Sequence, residues 1–212
     1  MLNNKSNLGD LPISSGAVPI RTALISVYHK DGLEEMLAAL HRQGVRFLST
    51  GGTQSFIESL NYPCGRVEDV TGYPSILGGR VKTLHPLIFG GILARRDVAE
   101  DRAEMAGYNI TPIDLVVVDL YPFEETVANG GTPDEIIEKI DIGGISLIRA
   151  AAKNFKDVTI IPSKAEYPYL IEILKNQGAR TTLTQRRELA AQAFTVSSRY
   201  DTAIKNWFEE TK

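Results

Sequence analysis

Between Thr22 and Ser49 the hydrophobic residues change their period twice, and this constrains the fold more than any other feature of the chain. Thr22-Ala23-Leu24-Ile25-Ser26-Val27 is a short, nearly continuous apolar run, as a strand buried on both faces requires. Leu33, Met36, Leu37 and Leu40 then recur at i, i+3, i+4 and i+7, which is one stripe of a helix. Gly44 falls where a glycine stops such a helix, and Val45 to Ser49 is a second apolar run. Strand, helix and strand within ~30 residues make a right-handed crossover, so the two strands belong to a parallel sheet.

The alternation continues downstream. Ile57 and Leu60 mark a short helix after Gly51 and Gly52, and the apolar stretch Leu87 to Ala94, with Gly90-Gly91 inside it, reads as a strand with a bend. Ile113 to Val118 is the clearest central strand, nearly all apolar and mostly β-branched. Thr132-Pro133-Asp134-Glu135 is a helix start, with Thr as N-cap and Pro at the first helical position. Ile145 to Lys153 reads as an alanine-rich helix, Val158 to Ile161 as a buried strand, and the chain from Lys164 onward as helical. The expected architecture is a doubly wound α/β domain over residues 20–212: a parallel sheet with helices on both faces and a helical C-terminal cap. Residues 1–19, rich in Asn, Ser, Gly and Pro, read as a flexible leader.

Composition narrows the chemistry. With 43% hydrophobic and 23% charged residues in 212, the chain can bury a full core. A net charge of −3 leaves no excess of base for a nucleic-acid backbone. One cysteine, Cys64, excludes an internal disulfide and a thiolate zinc cluster; in Tyr62-Pro63-Cys64-Gly65 it reads as an inert, half-buried thiol in a turn. His29, His41 and His85 lie in separate segments without metal-ligand spacing. No apolar run approaches the ~20 residues of a bilayer span, and no signal pattern opens the chain, so the expectation is a soluble cytoplasmic protein that binds neither membrane nor nucleic acid.

In such sheets ligands bind beyond the carboxyl ends of strands, so the residues that follow each strand are the candidates. Ser49-Thr50-Gly51-Gly52-Thr53 leads from a strand into a helix. Two glycines, three hydroxyls and the free N–H groups of a helix start suit a phosphate, although four residues, TGGT, also fit a plain turn. In Gly78-Gly79-Arg80-Val81-Lys82-Thr83-Leu84-His85-Pro86, an Arg and a Lys two apart would face one anion from an extended segment, with a hydroxyl and an imidazole following; a solvated loop is the alternative. Asp119 and Tyr121 stand at the end of the most apolar strand, where Tyr121 serves either the site or packing. Asp141-Ile142-Gly143-Gly144 precedes the helix that ends in Lys153-Asn154, and Asp141 and Lys153 would form an acid–base couple if the helix brought them together.

Taken in order, STGGT at 49–53, GGRVKTLHP at 78–86, LYPF at 120–123, DIGG at 141–144 and RAAAKN at 149–154 resemble the signature blocks of the IMP cyclohydrolase domain of the bifunctional purine-biosynthesis enzymes, over about residues 21–210. The resemblance implies a fold like methylglyoxal synthase. It implies closure of 5-formamidoimidazole-4-carboxamide ribotide to inosine monophosphate and water, without metal or organic cofactor. Ser26, Lys30, Thr50, Gly51, Gly52, Thr53, Arg80 and Thr83 would hold the 5′-phosphate and ribose. The backbone around Ile142, Gly143 and Gly144 would meet the base, and Lys82, Tyr121, Asp141 and Lys153 match the catalytic set. The family further implies a homodimer and a C-terminal formyltransferase domain linked in cis. Two positions depart from its pattern: Tyr28 replaces a small hydroxyl residue and Asp119 replaces an Asn. Methylglyoxal synthase itself, and a regulatory nucleotide-binding module of the same fold, are the competing readings; the presence of all four catalytic types weighs against the second.

Overall fold

The computed structural model describes residues 16–210. Its centre is a five-stranded, all-parallel sheet in the order β4-β3-β2-β5-β6. The strands are β2 (Thr22–Val27), β3 (Arg46–Ser49), β4 (Cys64–Arg66), β5 (Leu115–Asp119) and β6 (Thr159–Ile161). Ala23, Leu24 and Ile25 in β2 and Leu115 to Val118 in β5 are wholly buried, as the unbroken apolar runs require of strands covered on both faces. At ~1.5–3 kcal/mol for each large aliphatic side chain removed from water, this pair of strands anchors the core.

Around the sheet, α1 (Leu33–Arg42) packs on α9 (Tyr167–Gln177), and α8 (Gly143–Lys153) packs on α10 (Leu183–Glu210), which also crosses β6. The stripe read from the sequence is the buried face of α1: Leu33, Met36, Leu37 and Leu40 are each fully buried. Gly44 follows that helix with φ +73°, its N–H donating to the His41 carbonyl at 2.9 Å, so it performs the stop expected of it. Thr132 caps α7 (Pro133–Ile137) through a capping box in which its hydroxyl accepts from the Glu135 N–H and the Glu135 carboxylate accepts from the Thr132 N–H.

Three expectations are corrected. The stretch read as a bent strand at Leu87 to Ala94 is a helix, α4 (Pro86–Leu93). Its glycines serve close approach and not a bend: a methyl on Gly91 would meet the Thr111 carbonyl oxygen at 2.5 Å, and one on Gly90 would meet Ile110 at 2.9 Å. Cys64 lies in edge strand β4 and not in a turn, half-buried; burial, with Glu58 adding to it, pushes its thiol up to about 11, so it stays protonated and unreactive. The leader expected over residues 1–19 lies outside the described residues up to position 15. Beyond it, β1 (Val18–Pro19) pairs antiparallel with β7 (Arg180–Thr181), a short strand that also interrupts the helical C-terminal region. No described helix is long and apolar enough to cross a membrane.

Candidate active site

The strand order places the site. From β2 the chain builds outward through β3 to β4, then returns to lay β5 and β6 on the other side. Its connections therefore leave β2 and β5 in opposite directions, and a crevice opens at the carboxyl ends of those two strands. Val27 and Asp119 are paired across that edge. A cavity of about 390 Å³ opens there, lined by Ser26, Arg80, Lys82, Thr83, Tyr121 and Asp141, with the backbone of Ile142, Gly143 and Gly144 closing one wall.

The wall at Asp141 is built for that one carboxylate. Asp141 Oδ1 accepts the Gly144 N–H at 2.6 Å, and its own N–H donates at 2.9 Å to the Tyr200 hydroxyl, which in turn donates to the Lys139 carbonyl at 2.6 Å. A Cβ at position 144 would stand 2.6 Å from Asp141 Oδ2, so any larger residue there must push the carboxylate aside. Gly143 is tight against Thr83: a methyl would come within 3.2 Å of Thr83 Oγ1. Burial raises the Asp141 pKa above the ordinary carboxylate value. The N–H groups of Gly144 and Tyr121 and the charge of Lys82 pull the other way, and Asp119 adds to the rise. The Tyr121 phenol is also raised, first by burial and then by Asp141, and therefore remains a proton-bearing donor.

At the other wall, α2 (Gly51–Ser59) begins beside the cavity. Lys82 links it to the lining: a methyl on Gly51 would lie 3.9 Å from Lys82 Nζ. The hydroxyls expected to bind phosphate here are engaged within the protein. Thr50 donates to Glu68 at 2.6 Å, and Thr53 donates to the Val27 carbonyl at 2.9 Å while accepting the Val27 N–H. The backbone N–H groups of the first turn of α2 are what remain for an anion. Lys30 is held by the Val27 and Tyr28 carbonyls at 2.6 and 3.0 Å, and burial lowers its pKa against the pull of Asp119.

The segment before Lys82 is a tight turn and not the extended stretch read from the sequence. Leu77, Gly78 and Gly79 all have positive φ, and a bridge between Ile76 and Val81 closes the turn. Arg80 and Lys82 consequently diverge. Both line the cavity, but Arg80 pairs with Glu138 while Lys82 turns toward Gly51 and Asp141. His85, the imidazole that follows them in sequence, caps α4 by accepting the Leu87 N–H at 3.2 Å.

The Asp141–Lys153 couple does not form. Lys153 is the last residue of α8, exposed, and ~15 Å of helix separates it from the turn that holds Asp141. The cation that acts on Asp141 is Lys82. Asp119 points away from the cavity, accepting both the N–H and Nδ1 of His29 at 2.8 Å. Tyr28 stands edge-on to Tyr121 with centroids 5.4 Å apart. Tyr200 and Lys139 escaped sequence reasoning altogether; only their position after folding, 59 residues apart in the case of Tyr200 and Asp141, reveals them.

A parallel sheet whose crevice carries two glycine-opened helices and a half-buried carboxylate defines a fold class, and sequence comparison agrees with it: the MGS-like domain family matches residues 32–146, and the chain belongs to that family. The AICARFT/IMPCHase bienzyme family takes over at residues 151–212, so the chain joins an MGS-like domain to an AICARFT/IMPCHase region. The chain is 63% identical over 190 residues, 90% of its length, to the bifunctional purine biosynthesis protein PurH of Bacteroides thetaiotaomicron, and 47% identical over 193 residues, 91% of its length, to that of Sinorhizobium medicae. It spans only 38% and 36% of those two relatives. Among solved structures, that of ForH superposes with a TM-score of 0.76 at 35% identity, over 89% of this chain and 99% of the other.

Proposed function

We propose that this chain is an IMP cyclohydrolase, closing 5-formamidoimidazole-4-carboxamide ribotide to inosine monophosphate with loss of water. One observation carries the reading: a half-buried carboxylate of raised pKa, a lysine and a protonated phenol converge on one cavity of nucleotide size, beside a helix start that can take a phosphate. The curated relatives, bifunctional purine-biosynthesis proteins, support it.

The chemistry fits those groups. The carboxamide nitrogen is a poor nucleophile, and holding it against the formyl carbon of the same molecule supplies much of the acceleration. As the C–N bond forms, the carboxamide proton passes to Asp141 and the formyl oxygen takes a proton from Tyr121 or Lys82. The carbinol oxygen then departs as water, receiving the proton stored on Asp141, while the N–H proton of the former formamido nitrogen returns to Tyr121 or Lys82 and the ring C=N bond closes. Lys82 favours the ionised form of Asp141 that receives the carboxamide proton. The first turn of α2, with Ser26, Thr83 and Arg80, receives the phosphate and ribose. Lys153 is left out of this scheme. No metal or organic cofactor takes part. In the cell, a cytoplasmic homodimer with a formyltransferase domain on the same polypeptide is the proposed setting, where formyl transfer would supply the ribotide.

The test is direct. The purified chain, given the formamido ribotide, is expected to produce inosine monophosphate, followed by absorbance. Tight binding of inosine monophosphate without any turnover would instead favour a regulatory nucleotide-binding module.

A further inference from the structure

Lys139, on the turn between α7 and the Asp141 loop, does not direct its ammonium at a carboxylate. It stands 5.2 Å from the centroid of the Tyr28 ring and 6.0 Å from that of Tyr121, while the two rings meet edge-on at 5.4 Å. His29 extends the cluster, its ring edge-on to Tyr28 at 4.9 Å. This is not core packing: Tyr28 and Tyr121 are 41% and 37% exposed, and Tyr121 lines the cavity. Two partly exposed aromatic rings gathered around one cation form an arrangement favoured by the negative faces of the rings. The backbone beneath is fixed as well, since the Lys139 carbonyl accepts the Tyr200 hydroxyl that also receives the Asp141 N–H. Lys139 and Asp141 therefore ride on one pinned loop, and both charges act on Tyr121.

We propose that Lys139 and Tyr28 form a clamp that positions the Tyr121 phenol in the cavity, with Lys139 as a positioning residue that sets both the angle of that ring and the charge facing it. The proposal deepens the reading of the same site given above, as it assigns Tyr121 its support. The charged and titratable groups that face the Tyr121 ring are Asp141, Lys139, Tyr28 and Tyr200. Asp141 disfavours the phenolate and Lys139 favours it. Removing the lysine charge must therefore move phenol ionisation to higher pH.

The experiment uses Lys139→Met, Lys139→Arg, Tyr28→Ser and Tyr28→Phe. Tyr121 ionisation is read directly from tyrosinate absorbance, as the difference between each variant and the same variant carrying Tyr121→Phe. In Lys139→Met the Tyr121 midpoint is expected at higher pH, kcat for ring closure about tenfold lower, and KM within about threefold of the parent. Lys139→Arg should return all three toward the parent values, and Tyr28→Phe, which keeps the ring, should leave them in place. Tyr28→Ser combined with Lys139→Met should cost less than the two single losses multiplied together, because both act through one ring. An unshifted Tyr121 midpoint in a folded Lys139→Met protein overturns the clamp. Because that titration needs no turnover, a chain that never closes the ribotide but shows the shift would remove the proposed activity and leave the clamp standing.

Discussion

Two helices of this protein open with a pair of glycines, α2 at Gly51-Gly52 and α8 at Gly143-Gly144, and both begin at the same crevice. They use the same local geometry for opposite ends. At α8 the protein fills the helix start with its own anion: Asp141 accepts the Gly144 N–H and occupies the space that a side chain at 144 would need. At α2 the backbone N–H groups of the helix start are left for an anion from outside: Thr50 turns its hydroxyl to Glu68 and Thr53 to the Val27 carbonyl, and Lys82 stands nearby. A glycine pair before a helix thus does not specify a phosphate site. The residue one or two positions earlier decides: an Asp closes the helix start with protein charge, and a Thr leaves it open.

The difference is sharpest at Asp141. Asp141→Asn is expected to lower kcat about 100-fold or more, the range for loss of a general acid–base group, while inosine monophosphate still binds within about threefold. The same change should raise thermal stability near neutral pH. The sign follows from the raised pKa: between the unfolded and folded values the native state holds the extra proton, so stability falls as pH rises through that window and stays lower above it. Asn removes this cost, and the gain in melting temperature should vanish in acid, below the unfolded carboxylate range. Unchanged turnover in Asp141→Asn would break the contrast between the two helices.

Gly144→Ala should follow in size. The new methyl must displace the Asp141 carboxylate, costing about 1–3 kcal/mol in denaturant unfolding together with most of the activity. Lys82→Met should lower kcat for ring closure by about tenfold, the loss of a cation acting on Asp141 and on the formyl oxygen, and leave inosine monophosphate binding within about threefold; an unchanged kcat would remove Lys82 from the proton transfers. Gly52→Ala is the smallest. Its backbone does not need positive φ and nothing lies within 4 Å of the added methyl, so stability should stay within about 0.5 kcal/mol of the parent. A large loss there would mean that α2 is as closely fitted as α8.

Where burial is complete, sequence pattern and structure coincide: β2 and β5 are continuous apolar runs because both faces are covered, and α1 shows its stripe because only one face is. The α4 helix was misread for the same reason that β5 was legible. Pro86 to Leu93 is apolar nearly all round, which erases the helical period, and its glycines mimic a strand bend while serving contact with Thr111 and Ile110. Within the site, the residue types at 82, 121 and 141 were visible, but the partner of Asp141 was not. Lys153 is nearer in sequence on the same helix, and an intact helix keeps it distant, whereas Lys82 arrives from another loop. The turn at Leu77 to Gly79 was hidden because two glycines permit extended and left-handed backbone alike.

The Tyr200 hydroxyl carries a consequence for the order in which this molecule becomes competent. Lying on α10, it is the point at which the loop from Lys139 to Asp141 is tied down, and burial pushes its own pKa up to about 12, so the phenol keeps its proton at any ordinary pH. This knot joins segments 59 and 61 positions apart and needs α10 to have docked. During refolding, the Asp141 wall of the cavity therefore cannot take its shape before α10 has docked.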